Sequence, residues 1–191
     1  MQRIGLFGGS FDPVHLGHLL VAQAAREELQ LERLVFIPAA QSPFKPACQP
    51  SPPSRRLCLV RLALAGKPWC DIDDQEIKRG GLSYTIDTAR DYVRRFPEAE
   101  FFFLMGADHV AQLPKWREAA ELARLMQFVV IPRPGQTEAR LPDPFRGRML
   151  KGFPLDISSS QIRARVQAGL PLEPLVPAAV AESIRNNGLY L

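Results

Sequence analysis

Four short apolar runs punctuate the chain: Ile4-Gly5-Leu6-Phe7, Leu34-Val35-Phe36-Ile37, Phe101-Phe102-Phe103-Leu104 and Phe128-Val129-Val130-Ile131. They are continuous rather than alternating, as strands covered on both faces are. Stretches with helical spacing lie between them. The first spans about Leu16 to Leu29, with Leu16, Leu20 and Ala24 on one stripe. The second runs from about Ser54 to Ala65 and is rich in Leu. The third begins near Thr85 and ends before Pro97, and the fourth covers about Trp116 to Leu125. Strands alternating with helices predict an α/β fold, a doubly wound parallel sheet with right-handed crossovers. Towards the C-terminus, Ser158-Ser159-Ser160 offers an N-cap and Gly169 a C-cap, and a last helix runs from about Ala178 to Asn186-Asn187-Gly188. These two helices are expected to pack on the sheet. Two Pro-rich stretches, Pro43 to Pro53 and Pro132 to Pro154, read as surface loops. Without a repeat, a low-complexity tract or a clean linker, residues 1–191 read as a single domain.

Composition narrows the class. Apolar residues make up 46% of the 191 and charged residues 23%, a globular balance that excludes a disordered or collagen-like chain. The longest apolar run, Phe101 to Ala107, is far short of the roughly 18 residues a membrane span needs. The first residues lack a long apolar stretch, so no secretory signal is expected. Cys48, Cys58 and Cys70 are odd in number and include no Cys-x-x-Cys, which argues against a disulfide framework and a zinc ribbon and for a reducing, cytoplasmic setting. The net charge of +4 suits a polyanionic ligand, although an ordinary solvated basic surface accounts for it equally. The basic residues are scattered, so no nucleic-acid partner is expected.

The most informative segment is Gly8-Gly9-Ser10-Phe11-Asp12-Pro13-Val14-His15-Leu16-Gly17-His18. A strand ends at Phe7 and a helix starts near His15, and ligands of open α/β sheets bind outside such strand ends. Two glycines let backbone N–H groups approach a phosphate. His15 and His18 are three apart on a nascent helix and share a face, and Gly17 leaves room for a flat base. The dinucleotide pattern Gly-x-Gly-x-x-Gly is absent. So is the phosphate loop Gly-x-x-x-x-Gly-Lys, because Gly66-Lys67 has Arg61 where the first glycine is required. The two histidines also suit zinc, or simple capping and packing, but His109 is the only other histidine and no third ligand is suitably spaced.

At these residues the chain resembles the nucleotidyltransferase superfamily that carries a His-x-Gly-His motif. Ile157-Ser158-Ser159-Ser160-Gln161-Ile162-Arg163 is similar to that superfamily's Ile-Ser-Ser-x-x-Ile-Arg element. A serine-rich helix start serves as a cap, and its free N–H groups also suit phosphate oxygens. Three middle segments resemble the bacterial nicotinate mononucleotide adenylyltransferase family: Pro38-Ala39-Ala40-Gln41-Ser42-Pro43-Phe44-Lys45, Glu76 to Thr88 with its Ser83-Tyr84-Thr85, and Gly106-Ala107-Asp108 followed by Leu113 and Trp116. The likeness extends to the ending Gly188-Leu189-Tyr190. Phe44 stands where the family often has His, and Ser42 where it often has Pro.

The resemblance implies a Rossmann-like nucleotidyltransferase fold with C-terminal helices. It also implies transfer of AMP from ATP to nicotinate mononucleotide with release of pyrophosphate, and a Mg²⁺ ion held mainly by substrate phosphates. By motif position, His15, His18, Lys45 and Arg163 are implied as the catalytic contacts to phosphate. Gly8, Gly9, Ser10, Phe11, Gly106, Asp108, Ser158, Ser159 and Ser160 are implied to bind ATP, with Asp108 accepting from a ribose hydroxyl. Ser83, Tyr84, Thr85, Trp116 and Arg133 are implied to bind nicotinate mononucleotide, the backbone of Tyr84 and Thr85 donating to the carboxylate and Trp116 stacking on the ring. Each has a plainer reading: a core aromatic for Tyr84 and Trp116, helix caps for Ser83 and Thr85, a solvent cation for Arg133. Phosphopantetheine adenylyltransferases are shorter and lack the Ser-Tyr-Thr segment. Class I aminoacyl-tRNA synthetases carry a Lys-Met-Ser-Lys-Ser motif and a tRNA-reading domain that are absent here. A non-catalytic nucleotide binder need not keep both histidines with Lys45 and Arg163. Monomer and homodimer both remain open.

Overall fold

The computed structural model describes residues 1–44, 49–132, 135, 140–152 and 155–191. Six strands form one sheet in the order β3-β2-β1-β4-β5-β6, every neighbouring pair parallel. They are β1 (Arg3–Gly9), β2 (Arg33–Pro38), β3 (Cys70–Ile72), β4 (Glu100–Gly106), β5 (Gln127–Ile131) and β6 (Gly147–Met149). The helices are α1 (Leu16–Leu29), α2 (Pro53–Leu64), α3 (Gln75–Arg79), α4 (Thr85–Arg95), α5 (Ala119–Leu125), α6 (Ser159–Gln167) and α7 (Ala178–Asn186), with a 3₁₀ segment over Ala107–Lys115. This is the doubly wound fold, and its strand order reverses direction between β1 and β4, where such sheets open a crevice at the carboxyl ends of the strands.

The continuous apolar runs have two-sided burial behind them. Phe7, Leu34, Phe36, Phe102, Leu104 and Val129 face one core layer, which also takes Ala22, Ala25 and Leu29 of α1, Leu59 and Val60 of α2, Ile162 of α6 and Val180 and Ile184 of α7. Ile4, Leu6, Val35, Ile37, Phe101, Phe103 and Phe128 face the other, against Ile86 and Tyr92 of α4 and Leu122 of α5. Alternate residues point to opposite faces of a strand, so only an all-apolar run serves both layers.

Several boundaries differ from the expected ones. The pattern predicts four strands, and the two extra ones, Cys70-Asp71-Ile72 and Gly147-Arg148-Met149, are three-residue edges with no apolar run to mark them. β6 lies inside the Pro132–Pro154 stretch that reads as loop. The helix expected from Trp116 begins at Ala119, because the chain first runs through the 3₁₀ segment and Glu118 adopts a left-handed φ of 53°. The short α3 has no sequence expectation behind it. α1, α2, α4, α6 and α7 lie where helices are expected, within a residue or two.

Candidate active site

β1 ends at Gly9 and β4 at Gly106, on either side of the point where strand order reverses. A cleft of about 500 Å³ opens there, well within the range of small-molecule sites. Ser10, Phe11, Asp12 and His15 line it from the loop after β1, Gly17 and His18 from the first turn of α1, Gly106 and Asp108 from the end of β4, and Ser158, Ser159, Ser160 and Arg163 from the start of α6. Three segments distant in sequence thus converge on one space. Gly8 and Gly9, expected to bind ATP, are not among the residues that line it. A Cβ on Gly9 would come within 3.0–3.3 Å of the Phe11 ring, so glycine here makes room for that ring. Phe11 itself holds a φ of 47° and packs edge-on to Phe7 and His18.

The two imidazoles stack, with centroids 3.6 Å apart and planes 28° from parallel. His15 is the N-cap of α1 and His18 its third residue. The His15 backbone N–H donates to His18 Nδ1 at 3.1 Å. In a neutral imidazole with Nδ1 accepting, Nε2 carries the proton, so His18 is fixed as an Nε2–H donor. Burial, with a smaller contribution from the charge of His15, holds the His18 pKa well below its ordinary 6.5. The unfolded chain therefore binds a proton near pH 6.5 that the folded chain does not, and stability falls as pH drops below 6.5 towards the folded value. Burial raises the pKa of Glu76 above its ordinary 4.5, which acts in the opposite sense just above that pH. The stability–pH slope between pH 5 and 6.5 is accordingly expected to be shallower in His18→Gln than in wild type, whatever Glu76 contributes to both. Chemical denaturation at stepped pH measures it.

Gly17 has a structural reason to be glycine. A Cβ there would lie 3.0 and 3.1 Å from Nδ1 and Cε1 of His15. Alanine is favoured over glycine within a helix by about 1 kcal/mol, so Gly17→Ala is expected to keep or raise Tm while shifting the His15 ring by a few tenths of an ångström. Turnover is expected to fall about tenfold, since small misplacements at reacting groups are costly. Thermal melts beside steady-state assays separate the two effects.

The serines of α6 divide their labour. Ser158 closes a capping box: its hydroxyl accepts from the Gln161 N–H at 3.3 Å, and its own N–H donates to Gln161 Oε1 at 2.7 Å. Ser159 Oγ donates to the Pro13 carbonyl at 2.8 Å, and Arg163 Nη1 donates to the Asp12 carbonyl at 2.8 Å. Two side chains of α6 thus bind the loop after β1 and bring both motifs to the same cleft, with the α6 N-terminus and its positive dipole end beside it.

Of the residues expected at the pyridine end, Ser83, Tyr84, Thr85 and Trp116 do not line this cleft but adjoin it. Leu82 pairs with Gln41 in a single parallel bridge, and the Ser83 N–H donates to the Gln41 carbonyl at 2.9 Å. The Ser83 hydroxyl accepts from the Ala40 N–H at 2.9 Å, so it ties this segment to the loop after β2. Tyr84 is the N-cap residue and Thr85 the first residue of α4, which leaves backbone N–H groups at that helix start. Trp116 is half-buried, 6.4 Å from the His109 ring and 5.6 Å from Phe44, and its buried indole N–H meets no acceptor among the described residues. Phe44, in the place where a His is common, is an exposed side chain against His109 and Trp116. Lys45 and Arg133 lie outside the described residues.

Sequence reasoning missed the residues beneath the loop. Arg56 is fully buried and donates to the carbonyls of Ser51 (2.9 Å) and Ser10 (2.8 Å), with a longer 3.5 Å contact to that of Ala40. Asp12 accepts from Tyr190 Oη at 2.8 Å and from the Ser51 N–H at 2.9 Å. A signal existed for Arg56: it shares the buried face of α2 with Leu59, Val60 and Ala63, the spacing of a core position.

The cytidylyltransferase-like family profile matches residues 6–165. Among curated relatives, proteins named as probable nicotinate-nucleotide adenylyltransferases from Opitutus terrae and Gemmatimonas aurantiaca are 42% and 43% identical, each over 99% of this chain and over 98% and 92% of their own lengths. The chain belongs to the nicotinate-nucleotide adenylyltransferase family. Solved structures agree on the fold of that family. Plasmodium falciparum nicotinic acid mononucleotide adenylyltransferase complexed with NaAD superposes with a TM-score of 0.81 at 16% identity, covering 100% of this chain and 98% of its own. A Vibrio parahaemolyticus protein described as a nicotinate-nucleotide adenylyltransferase by assignment gives 0.73 at 19%, covering 100% and 96%. Phe44 and Ser42, which depart from the family's usual residues, sit where the cleft meets the Trp116 side.

Proposed function

We propose that this chain transfers the AMP moiety of ATP to nicotinate mononucleotide, forming nicotinate adenine dinucleotide and pyrophosphate, a step of NAD biosynthesis. The observation that carries the reading is the convergence of the stacked His15–His18 pair, the α6 N-terminus and Arg163 on one cleft, in a chain of this family.

The mononucleotide phosphate oxygen attacks the α-phosphorus of ATP in line, the bond to the bridging oxygen breaks, and pyrophosphate leaves with the electron pair. No covalent enzyme intermediate is required, so the protein's task is positioning and charge stabilisation. His18 Nε2–H donates to the α-phosphate oxygen on which charge develops. His15, Arg163 and Lys45 take neighbouring phosphate oxygens, and the backbone of Gly8 to Phe11 and the Ser158–Ser160 helix start take the pyrophosphate end. A charge pair at about 4 Å is worth roughly 4 kcal/mol at an effective dielectric near 20, so a few such contacts offset the repulsion between two polyanions. Gly106 and Asp108 hold the adenosine, with Asp108 accepting from a ribose hydroxyl.

A divalent cation serves this chemistry, and we assign Mg²⁺. Among the described residues no group of three or more His, Cys, Asp or Glu side chains could hold a metal ion, and both Asp12 oxygens already accept hydrogen bonds. That donor set fits an ion carried by substrate phosphates and water. When bound, the ion supplies charge neutralisation between phosphate oxygens.

The pyridine ring stacks on Trp116 beside Ser83, its carboxylate receives the N–H groups of Tyr84 and Thr85, and Arg133 takes the mononucleotide phosphate. Donors alone prefer the acid to the amide. Among the described residues no helix is long and apolar enough to cross a membrane, and we place the reaction in the cytoplasm, without nucleic acid as a partner. The test is direct. Pure protein with ATP, Mg²⁺ and either nicotinate or nicotinamide mononucleotide is assayed for pyrophosphate and dinucleotide. The expected result is rapid turnover of the acid at a kcat/KM at least tenfold above that of the amide. Equal values would count against donor-only recognition, and no turnover of either would overturn the function.

A further inference from the structure

The buried guanidinium of Arg56 lies at the junction of the two substrate-binding regions. It donates to the Ser10 carbonyl, in the loop after β1, and to the Ser51 carbonyl, just ahead of α2. Its remaining arm reaches the Ala40 carbonyl, in the loop after β2. The same Ala40 residue turns its N–H to the Ser83 hydroxyl, which lies beside the buried Glu76, whose carboxylate accepts from Thr88 Oγ1 at 2.7 Å. One hydrogen-bonded line therefore runs from the loop that faces His15 and His18 to the segment that starts α4. Carrying an arginine into a core is unfavourable unless its donors are met by well-placed acceptors. Here three carbonyls from the β1–α1 and β2–α2 connections meet them, and the Asp12 carboxylate nearby offsets part of the charge. An ammonium group has one centre and cannot reproduce a planar fork across three carbonyls.

We infer that Arg56 is a positioning residue for the transfer reaction: through Ser10 and Ala40 it fixes the ATP loop relative to the Ser83–Thr85 segment, and so aligns the two phosphates for in-line attack. The inference rests on the function proposed above. It sets Arg56 apart from a residue that merely stabilises the core, because misalignment between two correctly bound substrates lowers turnover without weakening either binding step.

The test uses Arg56→Lys and Arg56→Met in the full chain, with steady-state kinetics in both substrates and amide hydrogen exchange of peptides covering 8–12 and 38–42. The expected result is kcat lowered about ten- to a hundredfold, with KM for ATP and for the mononucleotide each within about threefold of wild type. Arg56→Lys is expected to recover only a small part, and exchange in both peptides is expected to rise together while β4 and β5 hold. A kcat within threefold of wild type in Arg56→Lys overturns the inference. So does a loss confined to one KM, or exchange that rises in one peptide alone. Should neither variant fold, Ser83→Ala breaks the same line at its half-buried end: lower kcat with little change in KM supports it, and a raised mononucleotide KM with unchanged kcat overturns it. A wild-type protein that makes no dinucleotide would fail the proposed function, and the paired exchange response would still decide whether Arg56 couples the two loops.

Discussion

His18→Ala is expected to lower kcat by about 10²–10³-fold, the usual loss when one donor to a developing oxyanion is removed. His18 is the side chain whose chemistry the fold specifies most closely. Its Nδ1 is held by the His15 N–H, its ring is stacked on His15, and its flank packs against Phe7 and Phe11. These contacts fix tautomer and orientation before any ligand arrives, so little reorganisation accompanies charge development. The structural consequence of the substitution is small by comparison. Alanine suits a first helical turn, and the His15 N–H loses an acceptor, worth about 1 kcal/mol. Pyrophosphate release at saturating substrates, with a melting curve on the same sample, checks the prediction. A folded His18→Ala protein with near-normal turnover would remove the centre of the assignment.

The second large effect is expected from Arg163. Its guanidinium is anchored by one arm on the Asp12 carbonyl and borders the cleft beside the α6 serines. Arg163→Met should lower kcat/KM for ATP by about a hundredfold, equivalent to roughly 2.7 kcal/mol of transition-state stabilisation. Arg163→Lys should recover less than tenfold of that loss, because an ammonium that reaches the phosphate no longer holds the Asp12 carbonyl as well. Varying ATP at fixed mononucleotide, and the reverse, separates the two substrates. Full recovery by lysine would reduce Arg163 to a point charge and detach it from the loop.

Both predictions depend on contacts between elements far apart in the chain. His15, His18 and the α6 serines were all legible as chemistry, since glycine-rich turns and helix starts leave backbone N–H groups without partners. What the residues could not reveal is how their hydroxyls and guanidinium are used. Ser158 mainly caps its own helix, while Ser159 and Arg163 tie α6 to Pro13 and Asp12. Gly9 and Gly17 read as openings for a ligand, yet the atoms nearest a Cβ at those positions belong to Phe11 and His15. A local pattern names the small residue but not the neighbour that requires it.

The sequence by itself determined the class of fold and the place of the crevice. A strand buried on both faces must be apolar without interruption, and helices between such strands must cross over to keep the sheet parallel. Only the tertiary structure decided the edges and the underside of the site. Cys70–Ile72 and Gly147–Met149 are strands because a neighbouring strand offers its backbone, a condition that three residues cannot encode. The helical spacing of Arg56 with Leu59, Val60 and Ala63 marks a core position, but what makes a cation tolerable there shows only when the carbonyls of Ser10, Ala40 and Ser51 are seen around it. Backbone carbonyls have no sequence signature, so the partners of a buried charge emerge only when distant loops are brought together.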